Sequence, residues 1–292
     1  MLKRLFASRA KPLGPDMKKL THWKFDLSGA VFEIALPYSN TDMFGESKTD
    51  CDVNINDLSQ YSIDHRLRES QGYYTFMRRH WGYWAGFGQD SYLGHNTGAA
   101  MVVFVPDLPE GMSCFCPPQL EQADTRSHYF SGPGRPMSIE DLKNTLGPRP
   151  RRIQPQKWKV VNLNGVQWAT YQSMRPQPGL TLEEDAHFNS AWITPVSDCH
   201  YLKVIFPTSQ WTPVDDSRRV LEDMIETIMS TVTLTLSPEA QAQKEAAEKK
   251  WPDAKYCESR EPENWVYEEF VYQPETDTTE HVKASPPPAW QP

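Results

Sequence analysis

The segment from Tyr201 to Leu236 restricts the possible folds of this chain more than any other. Leu202, Val204 and Phe206 alternate with Tyr201, Lys203 and Ile205, the period-two pattern of a half-buried strand. Thr212-Pro213-Val214-Asp215 then reads as a helix start. A threonine hydroxyl there can accept from an early amide, proline suits the first helical position, and Asp215 can reach back to the cap. Val220, Leu221, Met224, Ile225, Ile228, Met229 and Val232 follow at helical spacing, opposite Arg218, Arg219, Glu222, Asp223 and Glu226. Burying that stripe is worth about 10–20 kcal/mol before chain entropy is counted. A strand, a helix lying on a sheet and a short strand-like end (Thr233–Leu236) make the closing unit of an α+β domain.

Elsewhere the elements are plainest where turn chemistry brackets them. Phe25–Leu27 and Val31–Leu36 flank Ser28-Gly29-Ala30 as a hairpin. Trp158–Leu163 and Val166–Tyr171 flank Asn164-Gly165, the strongest two-residue turn signal. Ala99–Val105 is an apolar run stopped by Pro106, hence a central strand, and Ala191-Trp192-Ile193 is a further strand fragment. Ile63–His80 has mixed helical character, Asp107–Pro136 reads mostly as loop, and Ser138–Leu146 as a short helix ended by Gly147-Pro148. Asn40–Gln60 is a polar excursion. The expected architecture is a twisted antiparallel sheet packed by helices, one main domain with loop-rich insertions. Its parts are a basic arm (1–21), a core domain (22–236) and a C-terminal extension (237–292).

Composition sets the outer limits. A net charge of −8 argues against nucleic acid as direct partner and suits a basic protein partner. No run of 18 apolar residues exists and mean hydropathy is −0.64, so no membrane span is expected. The early Leu5-Phe6-Ala7 is too short for the apolar core of a secretory signal. The five cysteines form neither a disulfide scaffold nor zinc-site spacing, which fits a reducing cytoplasm and no metal.

The extension opens as a solvated helix from Ser237, broken at Trp251-Pro252. It carries twelve acidic residues against six basic ones, so most of the chain's net negative charge lies there. Trp265, Tyr267, Phe270 and Tyr272 interleave with Glu261, Glu263, Glu268 and Glu269. Three readings stand open: a solvated tail, a strand docked on the protein's own sheet, or a partner-binding segment.

Motifs for chemistry are missing from the sequence: it contains no GxSxG, GxGxxG, Walker loop or HExxH. Eight histidines are dispersed. Glu183-Glu184-Asp185 beside His187 reads as a solvated acidic loop. Gln71–His95 crowds Tyr73, Tyr74, Phe76, Trp81, Tyr83, Trp84, Phe87 and Tyr92 with Arg78 and Arg79. Such a set can stack bases or sugars, although core plus exposed loop is the plainer reading.

The hairpin ending in Phe32-Glu33-Ile34-Ala35-Leu36-Pro37, the hairpin Val161–Tyr171, and the final strand and helix closing on Ile228-Met229-Ser230-Thr231-Val232-Thr233-Leu234 together resemble the Mog1/PsbP-like fold, which includes the DcrB-like family. The resemblance spans roughly residues 22–236. It implies an association with effectors of type VI secretion, as immunity protein or chaperone. The leading expectation is a cytoplasmic immunity protein that binds and neutralises a toxic effector, such as a basic nuclease. It would need no cofactor, catalyse nothing, and hold its partner through Glu183, Glu184, Asp185, Trp265, Tyr267, Glu268 and Glu269. An effector chaperone with an exposed apolar groove and an enzyme of unrecognised type are the alternatives.

Overall fold

A computed structural model describes residues 6–41, 47–62, 72–86, 91–129, 150–174, 188–208, 214–266, 269–282 and 289–291. Along the chain run β1 (Leu20–Leu27), β2 (Ala30–Pro37), β3 (Lys48–Thr49), β4 (Asp52–Val53), β5 (Gly72–Trp84), β6 (Tyr92–Phe104) and α1 (Pro117–Tyr129). Then follow β7 (Pro150–Leu163), β8 (Val166–Met174), β9 (Phe188–Pro195), β10 (His200–Pro207), α2 (Val214–Met229), β11 (Thr233–Thr235) and α3 (Pro238–Lys250). The C-terminal strands are β12 (Glu263–Val266), β13 (Glu269–Gln273) and β14 (Thr278–Val282). The fold is α+β and rich in sheet. A large antiparallel sheet has the order β12-β7-β8-β9-β10-β6-β5-β3, a smaller one the order β11-β2-β1-β4, and β13 pairs with β14.

Both hairpins form at the expected turns. Ser28 and Gly29 have φ of 54° and 88°, Asn164 and Gly165 φ of 50° and 87°. Two successive positive φ values make the turn whose twist matches the flanking strands. In the closing unit, Leu221, Met224, Ile225, Ile228, Met229 and Val232 are all buried in the core that the helix shares with both sheets, and the expected cap at Thr212-Pro213 lies outside the described residues.

One core lies between the two sheets and α2. Phe25 and Phe32 of the small sheet meet Phe76 of β5, with ring centroids 4.9 and 6.2 Å from that ring. Trp81 of β5 is fully buried and donates its indole N–H to the Pro37 carbonyl at the end of β2, 3.2 Å away. Among the described aromatics of Gln71–His95, Phe76, Trp81 and Tyr83 are therefore framework, whereas Tyr73 is exposed.

Three expectations are corrected. Residues 72–80 are strand where mixed helical character was expected. β5 is buried on both faces and its register shifts between Thr75 and Met77, so neither periodicity shows cleanly. Residues 117–129 are helix, not loop. The buried face of α1 is largely polar, with Gln119, Glu121 and Asp124 beside Leu120 and Ala123, so the apolar stripe that betrays a helix is missing. Finally, β10 is central and covered on both faces. Leu202, Val204 and Phe206 face the α2 core, while Tyr201 and Lys203 are buried against the second cluster, which includes α1. The expected helix at Ser138–Leu146 lies outside the described residues.

The segments flanking the core also touch it. Leu13 exchanges backbone hydrogen bonds with Trp84 at 2.8 and 3.0 Å. In the extension, α3 is capped by Ser237 and buries Ala240 and Ala247 in a cluster with Phe115. β12 pairs antiparallel with β7, Trp265 opposite Arg152, so this stretch of the extension is a strand docked on the protein's own sheet.

Candidate functional site

Three places bring polar groups together. The first lies under α1. Tyr201 and Lys203 alternate with the apolar residues of β10, so both project toward that helix, and Tyr171 of β8 joins them across Ala191 of β9. Lys203 Nζ is 2.6 Å from Asp124 Oδ1 and donates to the Tyr171 hydroxyl at 3.1 Å. The Tyr201 hydroxyl donates to Asp124 Oδ1 at 3.1 Å, and the Tyr171 hydroxyl donates to Asp124 Oδ2. The ion pair is almost wholly dry, with side chains 10% and 5% exposed. Burial, with the carboxylate beside it, holds the Tyr201 phenol well above its usual range. Every acceptor on Asp124 that faces the cluster is engaged. The group fastens α1 to the sheet and leaves no open base.

The second is the turn into β10. His200 Nδ1 lies 2.7 Å from Ser197 Oγ and 3.3 Å from Cys199 Sγ, the spacing of a nucleophile beside a base. The electrostatics run the other way. Burial pushes the Cys199 thiol up and the His200 imidazole down to about 4, the Ile55 backbone offsetting only part of that. Nε2 is buried without a hydrogen-bond partner of ordinary geometry among the described residues. Thiol and imidazole are therefore both neutral at pH 7, the reverse of an activated thiolate pair. A stability consequence follows. Between pH 6.5 and about 4 the unfolded chain binds a proton at His200 that the folded chain refuses. Stability is expected to fall as pH drops through that window, by up to about 3 kcal/mol. Urea midpoints measured at each pH should fall less steeply in His200→Asn. Identical pH profiles for the two chains would assign the loss to other groups.

The third is a cleft of about 670 Å³ at the end of the large sheet. The tip of the β7–β8 hairpin, the end of β9, the turn at 115–117, β11 with Leu236, and α3 with Trp251 and Tyr256 wall it. Asn164 holds the hairpin tip in place by donating to the Val232 carbonyl at 2.7 Å, and Thr194 donates to the Gln167 carbonyl at 2.9 Å. Lys250 fastens the far end of α3 to the Gly111 carbonyl at 2.6 Å. Phe115, Leu234, Trp251 and Tyr256 contribute apolar surface; Asn162, Gln167, Gln241, Lys244 and Glu248 contribute polar groups. β11 ends the small sheet, so among the described residues its second edge carries no strand. Thr235 on it is exposed. The arrangement offers backbone, amide and aromatic groups on a pinned frame, which suits recognition of an extended chain.

The expected partner-binding residues are not brought together among the described residues. Glu183, Glu184, Asp185, Tyr267 and Glu268 lie outside them. Trp265 is a β12 residue on the large-sheet edge and Glu269 opens β13, opposite Val282. No group of three or more His, Cys, Asp or Glu side chains among the described residues converges as a metal cage. No described helix is long and apolar enough to cross a membrane. The cleft was missed in the sequence because its walls come from five separate stretches; only the Asn164-Gly165 turn carries a local signal.

No family model and no curated protein matches the chain. Among solved structures, LpqN, involved in cell envelope biogenesis of Mycobacterium tuberculosis, is similar at 13% identity and a TM-score of 0.27, over 60% of this chain and 91% of that one. Nothing about this chain's function follows from so remote a likeness.

Proposed function

We propose that the chain is a binding protein for another protein, and that the cleft between α3 and the β7–β8 hairpin tip receives an extended segment of that partner. The observation that carries this reading is the edge of β11, which walls the cleft beside fixed amide and aromatic side chains. A peptide entering there gains main-chain hydrogen bonds from the strand and anchoring contacts at Trp251 and Tyr256. The surplus of negative charge favours a basic partner and speeds its encounter. With the resemblance to the Mog1/PsbP-like, DcrB-like group, that chemistry supports a cytoplasmic immunity protein neutralising a toxic effector of a secretion system.

The test is capture from the native host at low and high salt, with wild type and with Gln241→Trp. Gln241 is exposed on α3, and an indole there fills the cleft. Wild type is expected to retain a basic toxin whose association weakens at least tenfold with salt, and the variant to lose it. A toxin held equally by both chains would move the site elsewhere. Release of the partner in active form would favour the chaperone reading, and turnover of a small molecule without any partner would favour the enzyme.

A further inference from the structure

A second surface carries its own occupant. Gln122 and Arg126 stand one turn apart on α1 and share a face. The Gln122 side-chain amide donates from Nε2 to the Gln291 carbonyl at 3.2 Å and accepts the Gln291 N–H on Oε1 at 2.8 Å. A primary amide that makes both bonds to one residue reads main chain as a neighbouring strand does. It fixes the direction of the bound segment without choosing its side chain. Selectivity sits one residue earlier. The Arg126 guanidinium lies 4.6 Å over the Trp290 ring and is held by Asp107 at 3.1 Å. Trp290 also packs on the cluster that includes Leu108 and Tyr256. A stacking cation, an apolar floor and a two-point main-chain clamp therefore converge on two residues, Trp290 and Gln291.

We infer that this face of α1 is a docking site for an extended, tryptophan-bearing protein segment, and that the chain's own residues 289–291 occupy it as a tethered competitor. The contacts are few and each is individually modest, so the occupant is displaceable. Tethering supplies an effective concentration of roughly 1 mM, which against a free segment binding at roughly 50 μM masks the site about twentyfold. A partner reaches it only by presenting the same chemistry at high local concentration, for instance while held at a second surface. The site lies on the opposite face of the large sheet from α2; it shares Tyr256 with the cleft, but Gln122 and Trp290, the residues that test it, do not line the cleft.

The experiment uses the full chain carrying Trp290→Ala and a fluorescent peptide of the sequence PPPAWQP, read by anisotropy. The variant is expected to bind the peptide with a Kd of tens of micromolar, and wild type at least tenfold more weakly. Adding Gln122→Ala, or Gln122→Glu, which keeps the size and loses the donor, should weaken binding at least fivefold. A peptide with alanine for tryptophan should not bind. Absence of binding to the Trp290→Ala chain, equal binding by wild type, or indifference to both Gln122 changes would overturn the proposal.

Discussion

Asp124→Ala is expected to lower stability by about 3–5 kcal/mol, the cost of leaving a buried ammonium without its counter-charge. Lys203 Nζ sits 2.6 Å from the lost carboxylate on a β10 face that α1 covers, and among the described residues the Tyr171 hydroxyl is its one other bonded partner. The Tyr171 and Tyr201 hydroxyls lose their acceptor in the same change. A urea midpoint about 1 M lower is the corresponding readout. The ion pair should nevertheless contribute little net stability, because desolvation offsets most of its attraction. Combining Asp124→Leu with Lys203→Met, Tyr171→Phe and Tyr201→Phe removes every member together and is expected to restore more than half of the loss. If Asp124→Ala costs less than about 1 kcal/mol, the cluster is wetter than its 5–10% exposure implies.

Trp81→Ala is expected to cost a further independent 3–5 kcal/mol. The ring is fully buried, and it fits because Gly98 on the neighbouring strand has no side chain: a Cβ there would meet the Trp81 ring at 2.7 Å. Its removal leaves a cavity and also orphans the Pro37 carbonyl at the junction of the two sheets. Trp81→Phe keeps most of the volume and loses only the hydrogen bond, so it should cost about 1–2 kcal/mol. Thermal melts of the two variants separate the cavity from the bond. Equal losses would mean that the bond to β2, and not the filled volume, is what the indole contributes.

Legibility followed the range of the signal. Asn164-Gly165 and Ser28-Gly29 specify their hairpins through backbone freedom that needs no distant neighbour. The α2 stripe is visible because its buried side chains are all apolar. α1 was hidden for the opposite reason. Its inner face spends carboxylates and amides on partners as far away as Tyr171, Tyr201, Lys203 and Cys257, and a buried polar face looks solvated until those partners are known. β5 was hidden by a bulge and by burial on both sides. For Trp265 the sequence left a solvated tail, a docked strand and a partner-binding segment open, and only the pairing of its strand with β7 decided between them.

By itself the sequence determined which segments turn, which helix lies on a sheet, and that the molecule carries a negative surplus, all consequences of neighbours within a few residues. Tertiary structure alone decided that β10 is covered on both faces, that Cys199 and His200 face each other as neutral groups, and that β11 and α3 enclose a cleft. Burial, desolvation and unsatisfied edges are properties of surfaces brought together from distant parts of the chain, so no local pattern records them.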